Sequence, residues 1–222
     1  MNYQKLLQNE AASRGWTPEQ VKMFEEWRYK VGQMESNNDP FVKQKGGGPG
    51  RGKYQYELAA GGSGANKTAI KRFQQYLDQN SLSLDILPAK DRRVLFQKDP
   101  DFSRLSPETQ DMIFLADKAL AKETDLNDLV TGKIKPEEAW AKWHWKGKKQ
   151  YLPDKLDQWK RNVGETPDRI DQWNPNVGKT RPSFNVVITD QEEQIEQEDV
   201  EESSPFDNPF LKRTFDWWRN LL

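Results

Sequence analysis

Apolar positions along the chain mark its helices before any other feature does. Val21, Phe24, Trp27, Val31 and Met34 recur at helical spacing. Thr17 and Gln20 form a capping box ahead of them, and Pro18 takes the favoured first helical position. This predicts a helix over 18–34. A second follows over 65–77, with Ala69, Ile70, Phe73 and Leu77 inward. A third opens at Ser106-Pro107 and runs to about Lys122. A short one covers 126–130, and another opens at Pro136 and ends near Gly147. Between the first two, residues 37–64 hold glycines at 46, 47, 48, 50, 52, 61, 62 and 64, which forbid a long regular element. Lys53 to Glu57 lies between the two clusters and reads as extended. Residues 1–150 are therefore expected to form one mainly α domain with a single glycine-rich excursion.

The pattern changes after about residue 150. Residues 153–166 read PDKLDQWKRNVGET and residues 167–180 read PDRIDQWNPNVGKT, a 14-residue repeat with nine identical positions. Each unit offers one aromatic and one aliphatic side chain, a thin anchor rather than a core, so 151–189 is expected to be an extended arm. Residues 184–188, FNVVI, suggest a strand. Residues 190–202 hold eight acids in thirteen positions, so 190–205 reads as a solvated linker. Residues 206–222 are expected to end in a short amphipathic helix, with Leu211, Phe215, Trp218 and Leu222 on one face.

Composition fits a compact front and a thin remainder: 34% of residues are apolar and the mean hydropathy is -1.03. The net charge of -1 hides an asymmetry: residues 1–150 carry 25 Lys and Arg against 20 Asp and Glu, and the rest 9 against 15. A mildly basic front suits an anionic polymer such as cell wall or nucleic acid. The chain has no cysteine and a single histidine, His144. That removes thiolate chemistry and argues against a histidine-rich metal site or a Ser-His triad. No metal or other cofactor is expected. The N-terminus has no signal-type apolar run, and no stretch is apolar enough to span a bilayer.

Glu35 is the candidate for chemistry. It falls four residues after Val31 and eight after Trp27, on the buried face of its helix. A carboxyl there is partly desolvated and its pKa raised, as a general acid needs near neutral pH. Geometry alone favours an exposed helix-end glutamate. The surroundings shift that balance: Ser36 follows at once, then KGGGPGRGKYQYE over 45–57, then a helix opening GANKTAIKRFQQYL. The glycine run lacks the Gly-Lys-Ser/Thr ending of a phosphate-binding loop and opens no helix in that register, so nucleotide binding is rejected.

Glu-Ser, a Gly-x-x-Gln segment and a helix ending Tyr-Leu resemble the lytic transglycosylase and goose-type lysozyme superfamily. The GGGPGRG-aromatic-Gln-aromatic-Glu run and the cluster Trp140, Trp143, His144, Trp145 are similar to a branch found in bacteriophage virion proteins. The resemblance covers about residues 20–148. It implies a lysozyme-like fold in which Glu35 is the acid/base for the MurNAc–GlcNAc bond, while Ser36, Gly50, Tyr54, Gln55 and Tyr56 line the sugar cleft. Gln55 is expected to face the cleft, with one flanking tyrosine packed inward. Glu57 is either a second carboxylate that positions water or a capping residue. Asp39 fits a turn better than catalysis, and Arg51 is read as holding the loop. His144, Trp140 and Trp143 are read as core.

The expected function is a virion-associated peptidoglycan-cleaving enzyme that opens the wall during genome entry, carried there by the particle. Other virion proteins are the expected partners of 151–222, docked through Trp159, Trp173, Phe215, Trp218 and Leu222. The alternative is a virion structural protein that keeps a lysozyme-like fold without turnover. Nucleic-acid binding is disfavoured, because the aromatics sit at core spacing.

Overall fold

A computed structural model of the protein describes residues 2–122, 124–145 and 152–164. The second repeat unit with Trp173, the FNVVI segment, the acidic linker and the terminal helix with Phe215, Trp218 and Leu222 lie outside the described residues. Among the described residues there are eight α-helices: α1 (Tyr3–Arg14), α2 (Pro18–Ser36), α3 (Ala65–Gln79), α4 (Ala89–Leu95), α5 (Pro107–Leu120), α6 (Leu126–Val130), α7 (Pro136–Trp140) and α8 (Leu152–Val163). The described part is mainly α, as expected. None of the helices described is long and apolar enough to cross a membrane.

Local sequence explains the boundaries. Thr17 and Gln20 make the reciprocal capping box of α2. Ser106 accepts from Thr109 N ahead of Pro107 in α5, and Asp125 accepts from Asn127 N and Asp128 N to start α6. α1 was not foreseen. Asn2 caps its start and Gly15 ends it in a left-handed conformation, while Tyr3, Leu6, Leu7 and Ala11 bury one face. α5 is the central helix: Met112 through Ala116 are all buried, and α1 and α3 pack against it. Trp27 of α2 lies against Phe114 of α5 at 5.5 Å and Trp143 at 5.9 Å.

The glycine-rich segment is a small β-hairpin, not a continuous extended stretch. β1 (Gly50–Arg51) pairs antiparallel with β2 (Tyr56–Glu57), Gly50 opposite Glu57. The connection turns through Gly52 (φ 72°) and Gln55 (φ 49°), both left-handed. A Cβ on Gly52 would sit 2.5 Å from Gln110 Oε1 and 3.2 Å from the Phe102 backbone. Gln110 of α5 anchors this turn: its Oε1 accepts from Lys53 N at 2.7 Å, and its Nε2 donates to Pro40 O at 2.8 Å.

The largest correction concerns the first repeat unit. Residues 152–163 are not extended; they form α8, which packs on α2 and α7. Trp159 is fully buried and lies 5.4 Å from Trp140. Gln33 of α2 donates to Asn162 O at 3.2 Å. Trp159 is a core residue of this domain, not an anchor for another protein. Leu152, Leu156, Trp159 and Val163 all meet the core, an i, i+4, i+7, i+11 stripe that buries enough apolar surface to fold back on its own chain.

Candidate active site

Glu35 occupies the last turn of α2, one position before the helix ends at Ser36. Val31 and Trp27, one and two turns before it, are buried as the stripe predicts. Its Oε1 accepts from Trp140 Nε1 at 2.8 Å. His144 Nε2 stands 3.9 Å from the same oxygen and 2.9 Å from the Tyr54 carbonyl. Because a carbonyl only accepts, that ring nitrogen carries a proton.

Burial of the Glu35 carboxyl raises its pKa from 4.5 to about 7; the Trp140 hydrogen bond and the charges of Lys155 and Lys118 act the other way and do not cancel it. Even so, 19% of the side chain remains open. The group is desolvated enough to hold a proton near neutral pH and still reaches solvent.

Other buried acids lack this combination. Asp117 accepts from Tyr56 OH at 2.9 Å and Arg72 at 2.7 Å and pairs with Lys118 at 2.9 Å, and those cations hold its carboxyl well below the usual range despite burial. Asp111 meets Arg28, Lys53 and Tyr54 within 3.0 Å. Asp91 accepts from Ser106 and Thr109. These carboxylates lock helices together; each is satisfied by several donors.

Ser36 joins the acid to the hairpin. Its Oγ donates to Lys53 O at 2.7 Å, with Gly32 O at 3.1 Å. Gly32 makes this approach possible, because a Cβ there would fall 2.4 Å from Asn38 Oδ1 and 3.0 Å from Lys53 Cε. The serine positions backbone rather than offering its hydroxyl to a ligand.

Both tyrosines of the YQY segment point inward, where one was expected to. Each hydroxyl finds an acid on α5: Tyr54, in the turn, bonds the part-buried Asp111 at 2.6 Å, and Tyr56, in β2, bonds the buried Asp117. At 1% and 5% exposure neither is available to a sugar. Gln55 sits half-buried in the turn with its Nε2 donating to Gly52 O at 2.8 Å, so its amide is used within the hairpin. A Cβ on Gly50 would meet Gln55 Oε1 at 2.6 Å, so this glycine serves the packing of the turn.

Glu57 accepts from Ser63 N at 2.9 Å, a capping contact at the second glycine cluster. Asp39 accepts from Phe41 N at 2.9 Å, a turn role as expected. Arg51 donates to the Gly48 and Gly50 carbonyls and holds the loop. Trp140 and Trp143 are core, and His144 packs against Tyr56 and Phe114 at 5.8 Å each.

Sequence reasoning missed the groups that set the acid's environment. Lys118 on α5 is buried, donates to Trp143 O at 3.1 Å and acts electrostatically on Glu35; no short motif marks it. Lys155 lies in the first repeat unit, and the helical stripe of that unit was the available signal. The chain matches no protein-family model, no curated protein and no solved structure.

Proposed function

We propose that this protein cleaves the MurNAc–GlcNAc glycosidic bond of peptidoglycan, with Glu35 as general acid and then base. The observation that carries the reading is a desolvated yet partly open carboxyl with a pKa of about 7, at the glutamate of the Glu-Ser and GGGPGRG pattern. Glu35 protonates the glycosidic oxygen as the bond to the anomeric carbon breaks, then accepts a proton from the attacking oxygen. The attacker is the C6 hydroxyl of the sugar or water. Water usually needs a second carboxylate to position it, and Glu57 already binds Ser63 N. That favours the internal hydroxyl and a 1,6-anhydro product, as in a lytic transglycosylase.

The setting suggested by the sequence resemblance is a phage particle that carries the enzyme to the wall, with residues beyond α8 binding other virion proteins. Purified cell walls incubated with the full chain and with Glu35→Gln test the core claim. Lysis should fall by about 10²-fold or more in the variant. Equal lysis with an intact fold refutes the assignment. Mass spectrometry of the released muropeptides separates the two acceptors: 1,6-anhydro ends support the internal hydroxyl, and reducing ends that vanish in Glu57→Gln support water.

A further inference from the structure

The Trp140 indole packs against two other indoles. Trp159 of α8 lies 5.4 Å away on one contact and Trp145 stacks at 6.2 Å with a 24° interplanar angle. Trp140 itself is 2% exposed and closes α7 where the backbone widens into a π-helical turn over Ala141–Trp145. Single π turns interrupt regular helices and re-aim side chains. A fixed N–H directed at one carboxyl oxygen has a chemical consequence. A carboxylic acid carries one proton, and its carbonyl oxygen is a better acceptor than its hydroxyl oxygen, so an indole N–H fixed on one oxygen favours the proton on the other.

We propose that Trp140 is a positioning residue for the acid: its indole N–H holds Glu35 Oε1, so that Oε2 bears the proton and delivers it. In the reaction proposed above, on which this inference rests, the Oε2–H bond breaks, the proton passes to the glycosidic oxygen and the carboxylate left behind is held by the same indole. A carboxyl free to rotate would present either oxygen, and a fixed one avoids that loss of orientation. Other groups facing Glu35 are His144 from the π turn, Lys118 from α5 and Lys155 from α8.

The test is a pH titration by NMR on the full chain. It follows the Trp140 indole N–H and the Glu35 carboxyl carbon, in wild type, Glu35→Gln and Trp140→Phe. In wild type the indole signal should shift with the same midpoint as the carboxyl, near 7, and the shift should vanish in Glu35→Gln. A static indole signal, or one that titrates unchanged in Glu35→Gln and so follows His144, overturns the proposal. Phenylalanine fills most of the indole's space without the N–H. With that donor gone the ionised form loses support, and the Glu35 midpoint should rise by about one pH unit. The alkaline limb of wall lysis should rise with it, while the maximal rate falls about tenfold with little change in KM. An unmoved midpoint in a folded Trp140→Phe chain means that the indole only fills space. If that variant does not fold, the wild-type titration decides. Because the titration reads the contact whether or not walls are cleaved, a chain without lytic activity refutes the function and leaves this result standing.

Discussion

Replacing Glu35 with glutamine should make the protein more stable at neutral and alkaline pH, and the gain can be worked from the site. The native carboxyl has a pKa of about 7 against an ordinary 4.5. The folded state therefore holds its proton more tightly than the unfolded chain does. For a raised carboxyl the stabilising contribution is complete below 4.5 and is lost as pH rises through 7. The full loss is roughly 3.4 kcal/mol at 1.36 kcal/mol per pKa step. The open fifth of the side chain lets water screen part of that, which makes it an upper bound. About 2.5 kcal/mol of it falls between about pH 5 and about pH 8. Glutamine keeps the acceptor for Trp140 and carries no charge, so the variant should lack this dependence. Urea melts of both proteins at those two pH values measure it, and the subtraction removes every group that titrates alike in both. The midpoint difference should widen by about 1 M or more toward high pH, given a slope of roughly 1–3 kcal/mol/M. Parallel pH dependence in the two proteins, within about 0.5 kcal/mol, would refute the claim that this carboxyl is desolvated.

Two further substitutions test the frame around the site. Asp117→Asn should cost about 3–5 kcal/mol at neutral pH, because the buried Lys118 and the half-buried Arg72 lose the carboxylate they share. Since the Asp117 pKa is lowered, its contribution is present above about pH 4 and is lost as pH falls. Acid melts of the variant should therefore show a smaller loss than wild type. Gly52→Ala forces a side chain into a left-handed position against the Phe102 backbone. It should cost roughly 1–3 kcal/mol and shift the Tyr54 and Tyr56 resonances, with thermal melts and NMR as the readouts.

Helices with strong local signals were legible. The capping box at Thr17 and the Ser106-Pro107 start marked where α2 and α5 begin, and the stripe through Trp27 and Val31 brought Glu35 to the buried face. α1 escaped because its interior face alternates with Gln4, Lys5, Gln8 and Asn9, and even Glu10 is buried on it, bonded to Arg14 and Tyr76. α4 has seven residues, too few for periodicity to declare itself. The hairpin turns on Gln55 at positive φ, a conformation that its residue type disfavours. α8 was misread for a different reason. Its stripe of Leu152, Leu156, Trp159 and Val163 is a helical pattern, but the 14-residue repeat directed the reading toward an arm with separate anchors. Distance in sequence hid the rest, since Trp140 and Lys118 reach Glu35 only through tertiary packing.

Because α8 covers the acid's side of the domain, loosening it should move the Glu35 midpoint in the opposite direction from removing the Trp140 donor. α8 has 12 residues, and an isolated helix of that length is marginal in water, so its order depends on docking. Trp159 is the main anchor: it is fully buried, and among the described residues its indole N–H has no hydrogen-bond partner, so packing is what holds it there. Trp159→Ala removes contacts worth about 3–5 kcal/mol and takes away the fully buried side chain of the helix, leaving the half-buried Leu152, Leu156 and Val163. The helix should undock and lose hydrogen-exchange protection across 152–163, while α2 and α5 stay protected. Water then reaches Glu35. Loss of the nearby Lys155 charge raises its pKa slightly, but desolvation is the larger influence and its relief lowers it. The carboxyl midpoint should fall from about 7 toward 4.5, and the lytic pH profile should move acid with it. An undocked α8 with an unchanged Glu35 midpoint would show that the desolvation comes wholly from α2, α5 and α7, and that the first repeat unit has no part in the chemistry.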